Sequence, residues 1–461
     1  MSGSTTTRRL TLVACILASS IVFIDGTVVN VALPAIQRDL GGGLALQQWV
    51  VDVYLLTLGS LILVGGSLGD IFGERKIFAI GVAWFGVASV LCAFAPDSTT
   101  LIVFRGIQGI AGALLTPASL AVITSTFSGD ERGAAIGTWT AWSAISTVIG
   151  PLLGGWLIGV TSWRVIFLLN VPIAIATVAL VRTHLPRATR ARTAVRVDFV
   201  GAVLCVVGLG TFVFGFIEQP RLGWSNPAVP GAIVTGAVCL AGFVVYESRT
   251  AMPMLPLRLF ASRNFSITNL ETFAVYGGLS AWGFFLTLFL QQIAGYSPFR
   301  AGLSMIPLTI AVFLLSRSVG RLSMRFGPRI FMGAGPLLGA VSILALARLP
   351  THLNYWVDLL PPLVGFAVAL SLLVAPLTTT VLNDAGPGDA GIASGVNNAV
   401  ARVAGLIAIA TVGVAAAGST DHLSAQGFHR AMLVVAVLLA VGGVLGAVGI
   451  VNPPPHAHEA A

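Results

Sequence analysis

Leu10-Thr-Leu-Val-Ala-Cys-Ile-Leu-Ala-Ser-Ser-Ile-Val-Phe-Ile-Asp25-Gly-Thr-Val-Val-Asn30-Val-Ala-Leu33 is the stretch that decides the fold class of this chain. A helix rising about 1.5 Å per residue over this length spans about 36 Å, enough to cross a hydrocarbon layer about 30 Å thick. Only one of its residues, Asp25, is charged. Arg8 and Arg9 precede it, which gives it the outline of a secretory leader. The run is too long for a leader core and lacks a clear small-residue cleavage site, so it reads as a retained membrane span.

The rest of the chain repeats that pattern. Of 461 residues, 56% are hydrophobic and 9% charged, with a mean hydropathy of +0.93. A soluble domain carries roughly 25% charged residues, so there is too little polar material here to cover a water-facing surface. Fourteen apolar runs follow one another from 10–33 to 430–451, with twelve as the alternative count. Most loops are short, and the longest polar stretches, 183–197 and 247–264, leave no room for a separate soluble domain. The fold class is therefore an all-α integral membrane protein lying in a lipid bilayer.

The net charge is +8. Its basic residues are scattered over short loops rather than gathered in a patch, which argues against a nucleic-acid partner and for the charge rule that orients membrane proteins. With the N-terminus inside, the outer loops hold only Arg38, Arg164, Arg221, Arg300, Arg348 and Arg430, and the other loop Lys and Arg fall inside. Both termini are thus expected in the cytoplasm. Arg is used almost to the exclusion of Lys, Ala, Gly and Val abound, and the composition suggests a high-GC bacterium and its plasma membrane. The four cysteines all lie inside apolar runs without metal-ligand or redox spacing, and read as inert thiols.

An internal echo suggests two related halves. Gly66-Ser-Leu-Gly-Asp70-Ile-Phe-Gly73-Glu-Arg75 matches Gly320-Arg-Leu-Ser-Met324-Arg-Phe-Gly327-Pro-Arg329 at a constant offset of 254 residues. Repeated halves are typical of transporters. The expected organisation is an N-terminal six-helix bundle over 1–182, a basic linker with inserted spans 7 and 8 over 183–264, and a C-terminal six-helix bundle with a short tail over 265–461.

Five motifs then resemble one family, the major facilitator superfamily in its fourteen-span drug:proton antiporter branch. They are Asp25-Gly-Thr-Val-Val-Asn30-Val-Ala-Leu-Pro34 in span 1, the Gly66–Lys76 loop after span 2, and Arg105-Gly-Ile-Gln108-Gly-Ile-Ala-Gly112 in span 4. Gly150-Pro151-Leu-Leu-Gly154-Gly155 in span 5 and Gly391-Ile-Ala-Ser-Gly-Val-Asn397-Asn398 before span 13 complete the set. Their order and spacing resemble that family over nearly the whole chain. The resemblance implies a fold of two six-helix bundles plus an inserted pair, a lipophilic or cationic small-molecule substrate, and export driven by protons. No cofactor is implied beyond the proton gradient, and a monomer is expected.

Charges inside spans carry the chemistry. A carboxylate at mid-span costs roughly 2.5–3.5 kcal/mol on insertion scales, so Asp25 needs a partner or a task. Asp52 and Arg105 fall at comparable depth. Either Asp25 is a proton carrier tuned by Arg105 and Asp52, or Asp25 and Arg105 form a static ion pair; Asp52 could equally be solvated at the span mouth. Glu271 and Arg402 lie at similar depth in spans 9 and 13, where Glu271 could pair with Arg402, bind a cationic substrate or take a second proton. Asp198 and Asp358 at span starts read as solvated.

In the Gly66–Lys76 loop, Gly66 and Gly73 allow close approach and a sharp turn, while Asp70 sits where it could favour the positive end of span 3. The resemblance implies a conformational latch of Gly66, Asp70, Gly73, Arg75 and Arg132, although Met324 replaces the acid in the second copy; simple charge anchoring is the plainer reading. Gly150, Pro151, Gly154 and Gly155 read as a close helix contact with a kink, and the antiporter role is implied by the resemblance. Here Ser146 stands where that family usually has glycine. Asn30, Gln108, Trp142, Tyr276, Trp282, Asn398 and Arg402 are the candidate lining of a substrate cavity, and packing or lipid contact is the ordinary role for each aromatic. No phosphate-binding loop and no metal-ligand cluster occurs, and none of the signatures of a soluble enzyme. An importer of a metabolite with the same fold is the alternative. A membrane-embedded enzyme is a further one, for which no acid or histidine cluster at a membrane boundary speaks.

Overall fold

The computed structural model describes residues 5–185, 197–251, 253–384, 390–417 and 423–452. The basic stretch 186–196, with Arg187, Arg190, Arg192 and Arg196, and the tail with His456 and His458 lie outside the described residues. The described residues form helices and connecting turns, with no strand among them. Fourteen of the helices are long and apolar enough to cross a membrane. In chain order, spans 1–6 are Thr5–Leu40, Gly43–Phe72, Glu74–Ala93, Ser98–Thr126, Gly129–Val160 and Val165–His184. Spans 7 and 8 are Phe199–Leu222 and Ala228–Arg249, and span 9 is Arg263–Ile293. Span 10 is made of Pro298–Ser304 and Ile306–Phe326, with a break at Met305, and span 11 is Pro328–Leu346. Spans 12–14 are Tyr355–Asp384, Ala390–Ala416 and Ala425–Gly449.

Several helices run beyond their apolar cores. Span 2 continues to Phe72, so Asp70 lies in its last turn and is exposed. The acid in the first turn of span 3 is instead Glu74, whose carboxylate accepts a hydrogen bond from Ser125 Oγ at 2.7 Å. The expectation that Asp70 serves the start of span 3 is corrected accordingly: helical geometry persists past the last apolar residue, and Gly73, at φ 93°, makes the turn. Its counterpart Gly327 between spans 10 and 11 has φ 81°. Both turns need a backbone that L side chains rarely adopt, so the internal echo is visible in conformation as well as in sequence.

The chain divides into two compact units, Met1–Leu255 with Leu290–Leu303, and Pro256–Phe289 with Ser304–Ala461. In the first, spans 1 to 4 and 6 surround a core that includes Ala14, Ile21, Tyr54, Phe78, Phe85 and Leu115. Glycine permits the closest crossings: a Cβ on Gly65 would overlap the carbonyl of Ala113, and one on Gly109 would fall 2.5 Å from the carbonyl oxygen of Tyr54. The inserted pair belongs to this unit. Span 7 lies against span 8 and span 2, and Trp49 donates from its indole to Glu218 at 3.0 Å.

In the second unit, span 14 is the hub, packed on spans 9, 11 and 13. Its glycines let backbones meet: a Cβ on Gly446 would lie 2.5 Å from the carbonyl oxygen of Met332, and one on Gly443 would lie 2.9 Å from that of Gly333. Phe289 stacks on Phe428 with ring centroids 4.2 Å apart. Small residues at such crossings are how helices associate where the hydrophobic effect offers little, since lipid is as apolar as the helix.

Candidate functional site

Span 1 carries Asp25 into the centre of the first unit, where its side chain is fully buried. Span 4 starts from a cap, the Asp97 carboxylate accepting from the amide of Thr100 at 2.9 Å. Two turns later it presents Arg105 and, one turn on, Gln108 toward the same point. Arg105 Nη1 donates to Asp25 Oδ2 at 2.6 Å and to Gln108 Oε1 at 2.7 Å. Gln108 Nε2 donates to Asp25 Oδ1 at 3.0 Å and to Ser89 Oγ of span 3 at 2.9 Å. Asn170 of span 6 adds donations of 3.2 Å to Asp25 and to Ser89. From span 2, the carbonyl of Val50 accepts from Arg105 Nε at 3.1 Å, and the ring of Tyr54 lies 4.2 Å beneath the guanidinium.

Every group facing Asp25 is a donor, and the guanidinium is held by a carboxylate, an amide oxygen, a carbonyl and an aromatic face. Such an arrangement fits an ionised Asp25 beside Arg105, with charge-assisted bonds roughly twice as strong as neutral ones. Its chemical capacity is narrow and clear. A proton added to Asp25 would cancel the charge that Arg105 faces and remove an acceptor, so at least one of these bonds would have to break.

Asp52, two residues beyond Val50, is equally buried, but neither of its carboxylate oxygens has a hydrogen-bond partner. It is not solvated at a span mouth, and it is not part of the Asp25 hydrogen bonds. Its span packs against spans 4 and 7, which closes it off from water.

Span 5 meets span 1 beside this cluster. A Cβ on Gly150 would overlap the hydroxyl of Thr27, and one on Gly154 would overlap a methyl of Val28. On its other side, a Cβ on Gly155 would fall 2.6 Å from the carbonyl oxygen of Pro298 and 2.7 Å from Phe299 Cα. The carbonyl of Pro151 in turn faces Gly302. Ser146 donates to Ser20 Oγ at 2.8 Å, so the small residue standing in place of glycine ties the same two helices through a hydrogen bond.

Among the described residues those of the expected latch do not bond to each other. Gly66 Cα faces Pro117 of span 4. Arg75 donates to the carbonyl of Arg182 at 2.9 Å, and Arg132 to that of Phe127 at 3.1 Å, each serving the unsatisfied end of a helix. Among the described residues Asp70 joins no ion pair.

With this geometry in view, comparison with known proteins is decisive. A family model described as Major Facilitator Superfamily matches residues 15–409. The chain belongs to the Major Facilitator Superfamily. It is 35% identical to the puromycin resistance protein pur8 of Streptomyces alboniger, over 94% of this chain and 88% of that protein. It is 34% identical to the cephamycin export protein CmcT of Amycolatopsis lactamdurans, over 99% of this chain and 96% of that one. Among solved structures, an auto-inhibited peptide transporter of the POT family matches with a TM-score of 0.70 at 14% identity, over 97% of this chain and 99% of that one, which speaks to the fold alone. A superfamily member with fourteen apolar helices is a multi-pass membrane protein.

In the second unit of this superfamily member, Glu271 is fully buried and neither of its carboxylate oxygens has a partner. The expected Glu271–Arg402 pair is therefore absent: Oε2 faces span 14, where a Cβ on Gly446 would lie 3.1 Å away, and the glycine leaves no donor. Tyr276, on the same helix as Glu271, is half-buried. Of the expected cavity residues, Gln108 is buried in the Asp25 cluster and Trp282 is buried against Phe366, with centroids 4.6 Å apart, so neither presents a surface to a ligand. Asn30 donates to the carbonyl of Gly26 at 3.4 Å. Trp142 is 47% exposed, and Asn398 and Arg402 are half-buried.

Sequence reasoning missed Ser89, Asn170 and the ring of Tyr54, because a lone neutral polar residue in a span carries no sign of its partner. It also misjudged Asp198. Asp198 caps span 7, donated to by the amide of Gly201 at 2.8 Å, and its other carboxylate oxygen is buried.

Proposed function

We propose that this protein exports small lipophilic or amphiphilic compounds, antibiotics among them, across a bacterial plasma membrane in exchange for protons. The observation that carries the reading is the Asp25 cluster: a buried acid in span 1 whose carboxylate accepts from Arg105 and Gln108 of span 4 and from Asn170 of span 6. A proton arriving at Asp25 removes the charge that holds Arg105, so the protonated and ionised forms favour different helix arrangements. A ligand, here the proton, shifts a conformational equilibrium only through such a difference in interaction between states. Alternating access of two bundles about a midplane site would then couple proton entry to substrate exit.

Relatives named for puromycin resistance and cephamycin export support the direction and the class of cargo. Glu271, with no partner in the second unit, is the candidate for a second proton, and Asp52 for a third titrating group near the first. The energy source is the proton gradient, with no cofactor and no catalytic step, and the working form is a monomer.

The test is proton release from inside-out vesicles energised to be acid inside. A panel of lipophilic cations and neutral antibiotics is added to wild type and to Asp25→Asn. Substrate-dependent dissipation of the gradient that vanishes in the variant supports antiport with the proton on Asp25. Gradient-driven movement of compound in the opposite direction would favour an importer, and undiminished coupling in Asp25→Asn would remove Asp25 from the proton path.

A further inference from the structure

Outside the Asp25 cluster, one pair of acids meets without a donor between them. Asp198 stands at the start of span 7 and Glu247 near the end of span 8. Glu247 is 2% exposed, and one of its oxygens accepts from the amide of Leu255 at 2.8 Å. The remaining oxygen of each acid, Glu247 Oε1 and Asp198 Oδ2, is buried with no donor. These two oxygens converge beside Gly201: a Cβ there would lie 2.5 Å from Glu247 Oε1 and 2.6 Å from Asp198 Oδ2. Both oxygens thus point into the same small space beside Gly201.

Among the described residues no hydrogen-bond donor meets either of these two oxygens. Cys205, one turn along span 7 from Gly201, is buried, and Ser60 of span 2 donates to the carbonyl of Leu56 on its own helix. Arg249 on span 8 is exposed, and among the described residues neither acid joins an ion pair. Two ionised carboxylates facing each other across buried space repel, and both are acceptors only. One proton between them converts the contact into a donor–acceptor bond.

We propose that Asp198 and Glu247 bind a single proton between them, forming a proton-binding site on the inserted pair of spans that is separate from Asp25. The shared proton closes the ends of spans 7 and 8 together. Since Glu247 also holds the amide of Leu255, it fastens the segment by which the chain leaves the first unit. Loss of the proton sets two negative charges face to face and loosens that fastening. The site needs no substrate, and its existence does not depend on the direction of transport.

The experiment is an infrared pH titration of the full chain in lipid nanodiscs, following the carbonyl stretch of protonated carboxylic acids. Subtracting the spectra of Glu247→Gln and of Asp198→Asn from wild type isolates this pair from Asp52 and Glu271. The expected result is a protonated-acid band that persists where exposed carboxyls have ionised, and that each variant removes. Gly201→Ala keeps both acids but pushes a methyl against their facing oxygens, so it should weaken proton affinity by about tenfold or more, about one pH unit. Should one acid variant fail to fold, the other and Gly201→Ala still read the site. Retention of the full band in the folded acid variants would overturn the proposal. A band that sodium, in place of choline, removes at fixed pH would make this a cation site and overturn it as well.

Discussion

Arg105 is the residue on which the first unit turns, because its three kinds of contact cannot be met by another side chain. Its fork reaches Asp25 and Gln108, its Nε reaches the Val50 carbonyl, and its plane lies on Tyr54. Lysine keeps the charge but has neither plane nor fork. Arg105→Ala leaves Asp25 buried without its cation and should cost about 3–5 kcal/mol; Arg105→Lys, losing about one charged hydrogen bond and the stacking, should cost about 2 kcal/mol. Thermal unfolding in detergent measures both, and equal small losses would mean that the cluster is incidental to the fold. Glu271 should behave in the opposite way. Its carboxyl has no partner to lose, so Glu271→Gln should leave unfolding unchanged to within about 0.5 kcal/mol while impairing gradient-driven export in vesicles. A large loss of stability would reveal a structural partner. Depth arithmetic along the helices made Asp25 and Arg105 legible as neighbours. The same arithmetic failed for Glu271 and Arg402, since equal depth says nothing about which way a side chain faces around its helix axis.

Whole helices were more legible than their ends. A run of apolar residues long enough to cross lipid leaves little freedom of interpretation, whereas the polar turns that extend span 2 to Phe72 carry no apolar signal. The break in span 10 at Met305, two residues before Pro307, interrupts the helix without interrupting the apolar run. The Gly150–Gly155 contact was legible as close packing, but its two faces differ in a way only structure shows. Gly154 meets a side chain, Val28, while Gly155 meets the backbone at Pro298 and Phe299. A side chain can be cut back and a backbone cannot. Gly154→Ala should therefore be rescued in stability and transport by Val28→Ala, and Gly155→Ala should be the more damaging and resist rescue by any neighbouring truncation; thermal unfolding of the single and double variants decides it. Span 4 offers a pH test. Hydrogen bonds from the Thr100 amide and then its hydroxyl hold the exposed Asp97 carboxyl below the usual carboxylate range. A depressed folded value means that the cap stabilises above the unfolded value of about 3.9 and fades as pH falls below it. Asp97→Ala should thus melt below wild type at neutral pH, with the difference closing in acid. A difference independent of pH would mean that the carboxylate charge plays no part.

At the scale of the molecule, the internal echo announced the turns at Gly73 and Gly327, and the apolar periodicity announced fourteen crossings. The place of spans 7 and 8 was not legible, because the contacts that join span 7 to span 2, among them Trp49 with Glu218 and Trp49 with Phe214, link residues separated by more than half of the first unit's sequence. Whether these two helices cross the bilayer decides between fourteen spans and twelve, and the loop 223–227 reads it directly. An even number of crossings puts both termini on one side, and the excess of Arg in alternate loops is the reason to expect that side in the cytoplasm. In a variant with the four native cysteines replaced, Ser225→Cys, exposed between spans 7 and 8, should react with an impermeant maleimide added to intact cells. Ala251→Cys, exposed just after span 8, should react only once the membrane is opened. The reversed pattern would invert the orientation of the whole protein and, with it, the direction in which the Asp25 cluster meets the gradient. Protection of both until permeabilisation would mean that spans 7 and 8 lie on one side, leaving the twelve-helix core to carry transport alone.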